Sequence, residues 1–182
     1  MGNRPSGDLD LFTDWQRRAD FPAAVQTVVE ALEGYGYAVV TSVTHETFAR
    51  LLVTASGETT AEPDKVELSA DWRSHAPVML EVGPVLHPDD AVANKMGALY
   101  GRAAARDFLD IDVAVTSGRY SRSLLLGLAT NAYAGFDELM FADALSALPR
   151  ITDAAFTVYG IPPAEIAAMR ERFADWRDQL RQ

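Results

Sequence analysis

The sequence predicts an α+β fold, a small mixed sheet followed by a helical C-terminal half. Three observations carry that prediction. Apolar residues recur at helical spacing once before residue 36. Short β-branched and alternating runs then fill the chain to about residue 86. From Pro88 onward the periodicity is helical. A chain of 182 residues suits one domain, or one domain with a helical appendage, and 48% apolar residues suffice for a real core.

The elements follow in order. "DLDLFTDW" reads as a strand, and its Leu9, Leu11 and Phe12 predict a buried one. "DFPAAVQTVVEALEGYG" reads as a helix with Asp20 as N-cap and Gly34 and Gly36 as the stop. Its Val25, Val28, Val29 and Leu32 form one apolar stripe. "YAVVTSVT" and "TFARLLVTAS" are strands joined tightly through "HE". "PDKVELSADW" alternates, with Val66 and Leu68 on one face and Lys65, Glu67 and Ser69 on the other. "PVMLEVGPVL" is a short apolar run bent at Gly83 and Pro84. In "HPDDAVANKMGALYGR", Pro88 opens a helix, and Asp89 and Asp90 occupy its first turn. "RDFLDIDVAV", "SRSLLLGLATNAY", "FDELMFADALSAL" and "PPAEIAAMRERFADWRDQL" are further helices. The expected division is a sheet subdomain over 1–87 and a helical subdomain over 88–182.

Composition narrows the function. A net charge of −10 argues against broad electrostatic binding of nucleic acid, although it leaves room for a local basic groove. There is no cysteine, hence no disulfide framework or thiolate metal site. No run approaches the length of a membrane span, and the start lacks the apolar stretch of a signal peptide, so the expected location is cytoplasmic.

Asp8 and Asp10 share one face of their strand, about 6–7 Å apart. Two carboxylates this close repel, and Mg²⁺ is the natural counter-ion for such a pair. The plain alternative is an acidic strand end facing water. Glu67 can join them if its strand lies alongside, which would complete a three-carboxylate frame for metal ions. Its alternative is an ordinary solvent-facing strand residue. Lys95, beside the Val92–Met96–Leu99 stripe, can bury its stem and offer its amine to a phosphate, or simply snorkel. Asp107 and Asp110 are neighbours on one helix face, and Arg106 can pair with either or reach a phosphate. Arg102 and Arg106 form a possible small basic strip. His45, His75 and His87 have no ligand spacing and read as structural or exposed.

The order of these segments is more specific than any one of them. "R-x-S-x-D-L-D-L-F-T", "THETFARLLV", "KVELSADW", "GPVLHPDDAVANKMGALYGRAAARDFLD" and "GFDELMFADAL" together resemble the AbiEii-type nucleotidyltransferase toxins, which include the MenT-like mycobacterial toxins. The resemblance spans nearly the whole chain. The "NKMGALYGRAAARDFLD" block is its most specific part, whereas the DxD is common to the wider polymerase-β-like superfamily. The resemblance implies a nucleotidyltransferase-type sheet followed by a helical domain. It also implies a toxin of a toxin–antitoxin pair, with a cognate antitoxin as partner. Some members transfer a nucleotide from an NTP to the 3′ end of tRNA.

By motif, Asp8 and Asp10 match the metal-binding acids and Ser6 the small hydroxyl residue before them. Lys95 matches the lysine for the nucleotide phosphates. Asp110 matches the acid of the last motif, with Arg106 and Asp107 beside it. Two departures stand out. The Gly-Gly or Gly-Ser element that usually precedes "RxSxDLD" is not found between Met1 and Asp8. Glu67 replaces a usual aspartate. The expectation is therefore a Mg²⁺-dependent transferase acting on tRNA. Transfer to a small-molecule or protein hydroxyl, and a non-catalytic relative acting by protein–protein interaction, are the alternatives.

Overall fold

The structure, a computed structural model, describes residues 8–57 and 62–182. Among these, the residues up to Arg73 form one compact unit and Ser74–Gln182 the other. The sequence placed the division near residue 87. In the structure the apolar run at 77–86 groups with the helices, so the units part at 73/74.

The first unit is a four-stranded sheet with one helix. Strands β1 (Asp8–Asp14), β2 (Tyr37–Thr44), β3 (Phe48–Ala55) and β4 (Asp64–Asp71) lie in the order β1-β4-β3-β2. β1 runs parallel to β4, and the other pairs are antiparallel. The connection from β1 to β2 is a 3-10 turn, Trp15–Asp20, followed by helix α1, Phe21–Gly34. Asp14 caps that turn by accepting from the Gln16 N–H at 2.8 Å. The expected cap of α1, Asp20, makes no capping hydrogen bond and instead pairs with Arg17 at 3.2 Å.

α1 covers one sheet face. Phe21, Ala49, Leu51, Val53, Val66, Leu68 and Ala70 are buried there, with the α1 valines and Leu32 packed against them. Burying one such aliphatic side chain stabilises the fold by roughly 1.5–3 kcal/mol. The alternation read in β4 therefore holds: its even-numbered apolar residues meet α1, and Glu67 faces the opposite way.

The second unit begins with a hairpin of β5 (Val78–Leu80) and β6 (Gly83–Val85), turning at Gly83 with φ 110°. Helices α2 (Pro88–Arg102), α3 (Ala105–Thr116), α4 (Arg122–Ala132), α5 (Glu138–Leu145), α6 (Ala154–Thr157) and α7 (Pro163–Leu180) follow. Their core includes Val92, Met96, Leu99, Phe108, Ile111, Leu125, Phe141, Ile166, Met169, Phe173 and Trp176. The aromatic members interlock, Phe108 edge-on to Phe173 and Phe141 edge-on to Trp176, with centroids 5.2 Å apart in both pairs. No helix among the described residues is long and apolar enough to cross a membrane.

Candidate active site

Each unit carries one group of the expected site residues. In the sheet unit, Asp8 stands opposite Lys65 and Asp10 opposite Glu67. Cross-strand neighbours share a face, so Asp8, Asp10 and Glu67 all lie on the face away from α1. β4 thus does lie alongside β1, and the three carboxylates belong to one patch of sheet. Burial is where the expectation fails. Asp8, Leu9 and Asp10 are exposed, Leu9 to 55%, and the strand becomes half-buried only from Leu11. The reason is position: β1 is an edge strand, and Leu11 is its residue packed into the α1 core. The exposed acids therefore carry little desolvation cost.

Glu67 carries a partner that the sequence did not reveal. Arg50, opposite it on β3, places Nη2 at 2.7 Å and Nε at 2.8 Å from the same oxygen, Oε1. The signal was only a register signal, since nothing in the sequence aligns residues 50 and 67.

In the helical unit, Lys95 of α2 and Asp110 of α3 meet. Nζ lies 2.6 Å from Oδ2, and both side chains are partly exposed. Lys95 thus commits its amine to Asp110 while remaining partly open to water.

Asp107 does something different. It is 2% exposed and takes Arg102 in a two-pronged pair, Nη2 to Oδ1 at 2.6 Å and Nε to Oδ2 at 2.8 Å. Its Oδ2 also accepts the Ala104 N–H at 3.0 Å. That interaction fixes the corner between α2 and α3, where Ala103 adopts a left-handed φ of 47°. The hydrogen bond to Asp107 raises the Arg102 pKa above its ordinary value, outweighing the opposing effect of burial, and the charges of Asp107 and Asp110 add to it. Asp107 thus supports the corner between Lys95 and Asp110.

Arg106, the other expected phosphate contact, is exposed and pairs with neither acid. The basic strip does not form, because Arg102 is held by Asp107. Arg122 is held too, by Asp175 at 2.6 Å, by Gln179 at 2.8 Å and by the Arg172 carbonyl at 2.9 Å. Ser6 lies outside the described residues. Of the histidines, His45 is exposed, but His75 and His87 come together with rings stacked 4.3 Å apart. The eleven residues between them include the hairpin, which is why spacing alone did not pair them.

Comparisons with known proteins agree with this architecture. No curated protein matches the chain. Two solved structures from Helicobacter pylori share its fold at 15% identity. One, a protein assigned as a nucleotidyltransferase, superposes with a TM-score of 0.58 over 98% of this chain and 81% of its own. The other, JHP933, gives 0.51 over 98% and 76%. At that identity the likeness concerns the fold alone. The family assignment rests on the sequence, in which residues 1–182 match the model of the nucleotidyl transferase AbiEii toxin family, type IV toxin–antitoxin systems. This chain belongs to that family.

Proposed function

We propose that the chain is a Mg²⁺-dependent nucleotidyltransferase toxin that moves a nucleotide from an NTP to the 3′ end of tRNA. The observation that carries the chemistry is the placement of Asp8 and Asp10 on the open face of an edge strand, with Glu67 in register beside Asp10. An all-carboxylate donor set suits Mg²⁺, which prefers oxygen ligands and commonly takes one or two carboxylates plus substrate phosphates. Asp8 and Asp10 would hold it, with Glu67 contributing in competition with Arg50. When bound, the ion supplies charge neutralisation to the triphosphate.

The chain's own residues do the rest. Lys95 offers a compact positive charge to phosphate oxygens. Asp110 orients that amine, and Asp107 with Arg102 holds the helix corner that carries the pair. A 3′-hydroxyl oxygen, releasing its proton to solvent, attacks the α-phosphorus. The new O–P bond forms as the bond to the β-phosphate bridging oxygen breaks, and pyrophosphate leaves. Catalysis of this kind is mainly positioning and electrostatic stabilisation. The family implies an antitoxin partner, and action in the cytoplasm completes the reading.

A second reading keeps the chemistry and changes the acceptor to a small-molecule or protein hydroxyl. One observation favours it: Arg17, Arg50, Arg102, Arg122, Arg170, Arg172, Arg177 and Arg181 are all engaged in ion pairs. A chain of net charge −10 so arranged presents little basic surface to RNA. The acceptor is tested with α-labelled NTPs and Mg²⁺, offering total tRNA, a protein extract and no acceptor in parallel. Label on tRNA alone supports the first reading. Label on protein or on a small molecule replaces it with the second.

A further inference from the structure

The stacked histidines of the helical unit are not among the residues assigned above to the transfer chemistry. His75, His87 and Asp89 each offer one ligand atom within 4.8 Å of the other two. All three side chains are partly exposed and so reachable from water.

Two of the three are oriented by a further partner. Asp90, only 3% exposed, accepts the backbone N–H groups of Ser74 at 3.1 Å and His75 at 3.0 Å. Its Oδ1 also faces His75 Nδ1 at 3.2 Å. A neutral His75 that donates from Nδ1 to this carboxylate keeps its lone pair on Nε2. Asp89 accepts the Tyr120 hydroxyl on Oδ1 at 2.9 Å, and its Oδ2 lies 3.9 Å from His87 Nδ1. A buried carboxylate behind an imidazole is the arrangement that fixes the tautomer and aim of a metal-bound histidine.

We propose that His75, His87 and Asp89 bind one divalent transition-metal ion of the zinc type, with water completing the coordination. Two imidazoles and one carboxylate suit Zn²⁺ or Co²⁺, whereas Mg²⁺ and Ca²⁺ take oxygen ligands. Metal–ligand bonds of about 2.0–2.1 Å set tetrahedral ligand atoms about 3.3 Å apart. The 3.9 Å between His87 Nδ1 and Asp89 Oδ2 must therefore close by roughly 0.6 Å. The 3.2 Å hydrogen bond from the Asp89 N–H to His87 Nδ1 gives way to the metal. The His75 ring, now nearly parallel to His87 at 18°, tilts out of the stack. Both are movements of partly exposed side chains. A cation at a helix start meets the positive end of the dipole, and Asp89 and Asp90 in the first turn of α2 offset it. Bound there, the ion cross-links the two ends of the segment that carries the β5–β6 hairpin.

The test uses the full chain, stripped of metal and held in excess Mg²⁺ so that all-oxygen sites are occupied. Zn²⁺ is titrated against a chromophoric chelator, and Co²⁺ is followed by visible absorption. The expected result is one Zn²⁺ per chain, a visible Co²⁺ band, and a Tm that rises with Zn²⁺. His75→Ala and His87→Asn each weaken Zn²⁺ binding at least tenfold, and His45→Ala does not. Asn preserves a helix-capping acceptor at position 87, so that variant separates metal binding from folding. A wild-type chain without the Co²⁺ band, or His87→Asn with undiminished Zn²⁺ affinity, overturns the proposal. In either case these atoms serve only to cap α2 and tie down residue 75.

Discussion

Lys95–Asp110 and Arg102–Asp107 look alike in sequence, two basic residues on α2 facing two acids on α3, yet they make opposite predictions. The Lys95–Asp110 pair is partly open to water, and such pairs contribute about 0–1 kcal/mol. Lys95→Met is therefore expected to move Tm by no more than about 2–4 °C. Transfer should fall at least about 100-fold, the usual effect of losing one donor to the reacting phosphates. Asp107 is buried while its arginine is half exposed, so Asp107→Ala is expected to cost about 2–3 kcal/mol, less than the loss of a fully buried pair. Thermal denaturation of the two variants side by side checks both. Glu67→Gln should reduce transfer by roughly tenfold and raise the Mg²⁺ requirement, less than loss of Asp10, because Arg50 already engages Glu67. At this scale the sequence identified the acids and the lysine by type and order. It could not assign partners, because Asp107 and Asp110 are equivalent by helical spacing and only the bend at Ala103 separates their roles.

Among the elements, α2 and α4 meet where Gly97 lies under Tyr133. A Cβ added at Gly97 would come within 2.4–2.6 Å of the Tyr133 ring and hydroxyl. The Tyr133 hydroxyl also donates to Asn94 Oδ1 at 3.3 Å, on the residue before Lys95. Gly97→Ala alone should destabilise, because the ring must leave. In a Tyr133→Ala background the same change should stabilise by up to about 1 kcal/mol, the helix-propensity gain of alanine over glycine. Urea denaturation of the four chains measures that reversal. Strands and helices here were legible where one face is buried: β4 alternates and α2 carries its stripe, as both pack on a core. Legibility failed at edges and junctions. The 3-10 turn at Trp15–Asp20 has no buried residue and so no period to read. β1 has the apolar content of a core strand, but its first residues extend beyond the cover of α1.

For the whole molecule, charge decides how an RNA acceptor could be held. With so many arginines paired, tRNA binding should be weak and engage few phosphates, giving a salt slope of magnitude about 3 or less in a log–log plot. Fluorescence anisotropy over a salt series reads it, and a steep slope would reveal a basic surface that the ion pairs do not suggest. The α+β class was readable from the chain because segments such as β3 and β4 keep one period along their length. The meeting of His75 with His87 was not, because a hairpin rather than a periodic element brings them together. Nucleotidyl transfer by this chain is tested most simply by comparing α-labelled with γ-labelled NTP in the presence of Mg²⁺, for the wild-type chain and Asp10→Asn. The α-label should be retained on an acceptor, the γ-label should leave in pyrophosphate, and Asp10→Asn should abolish both. Retention of the γ-label, or transfer that survives Asp10→Asn, would contradict it.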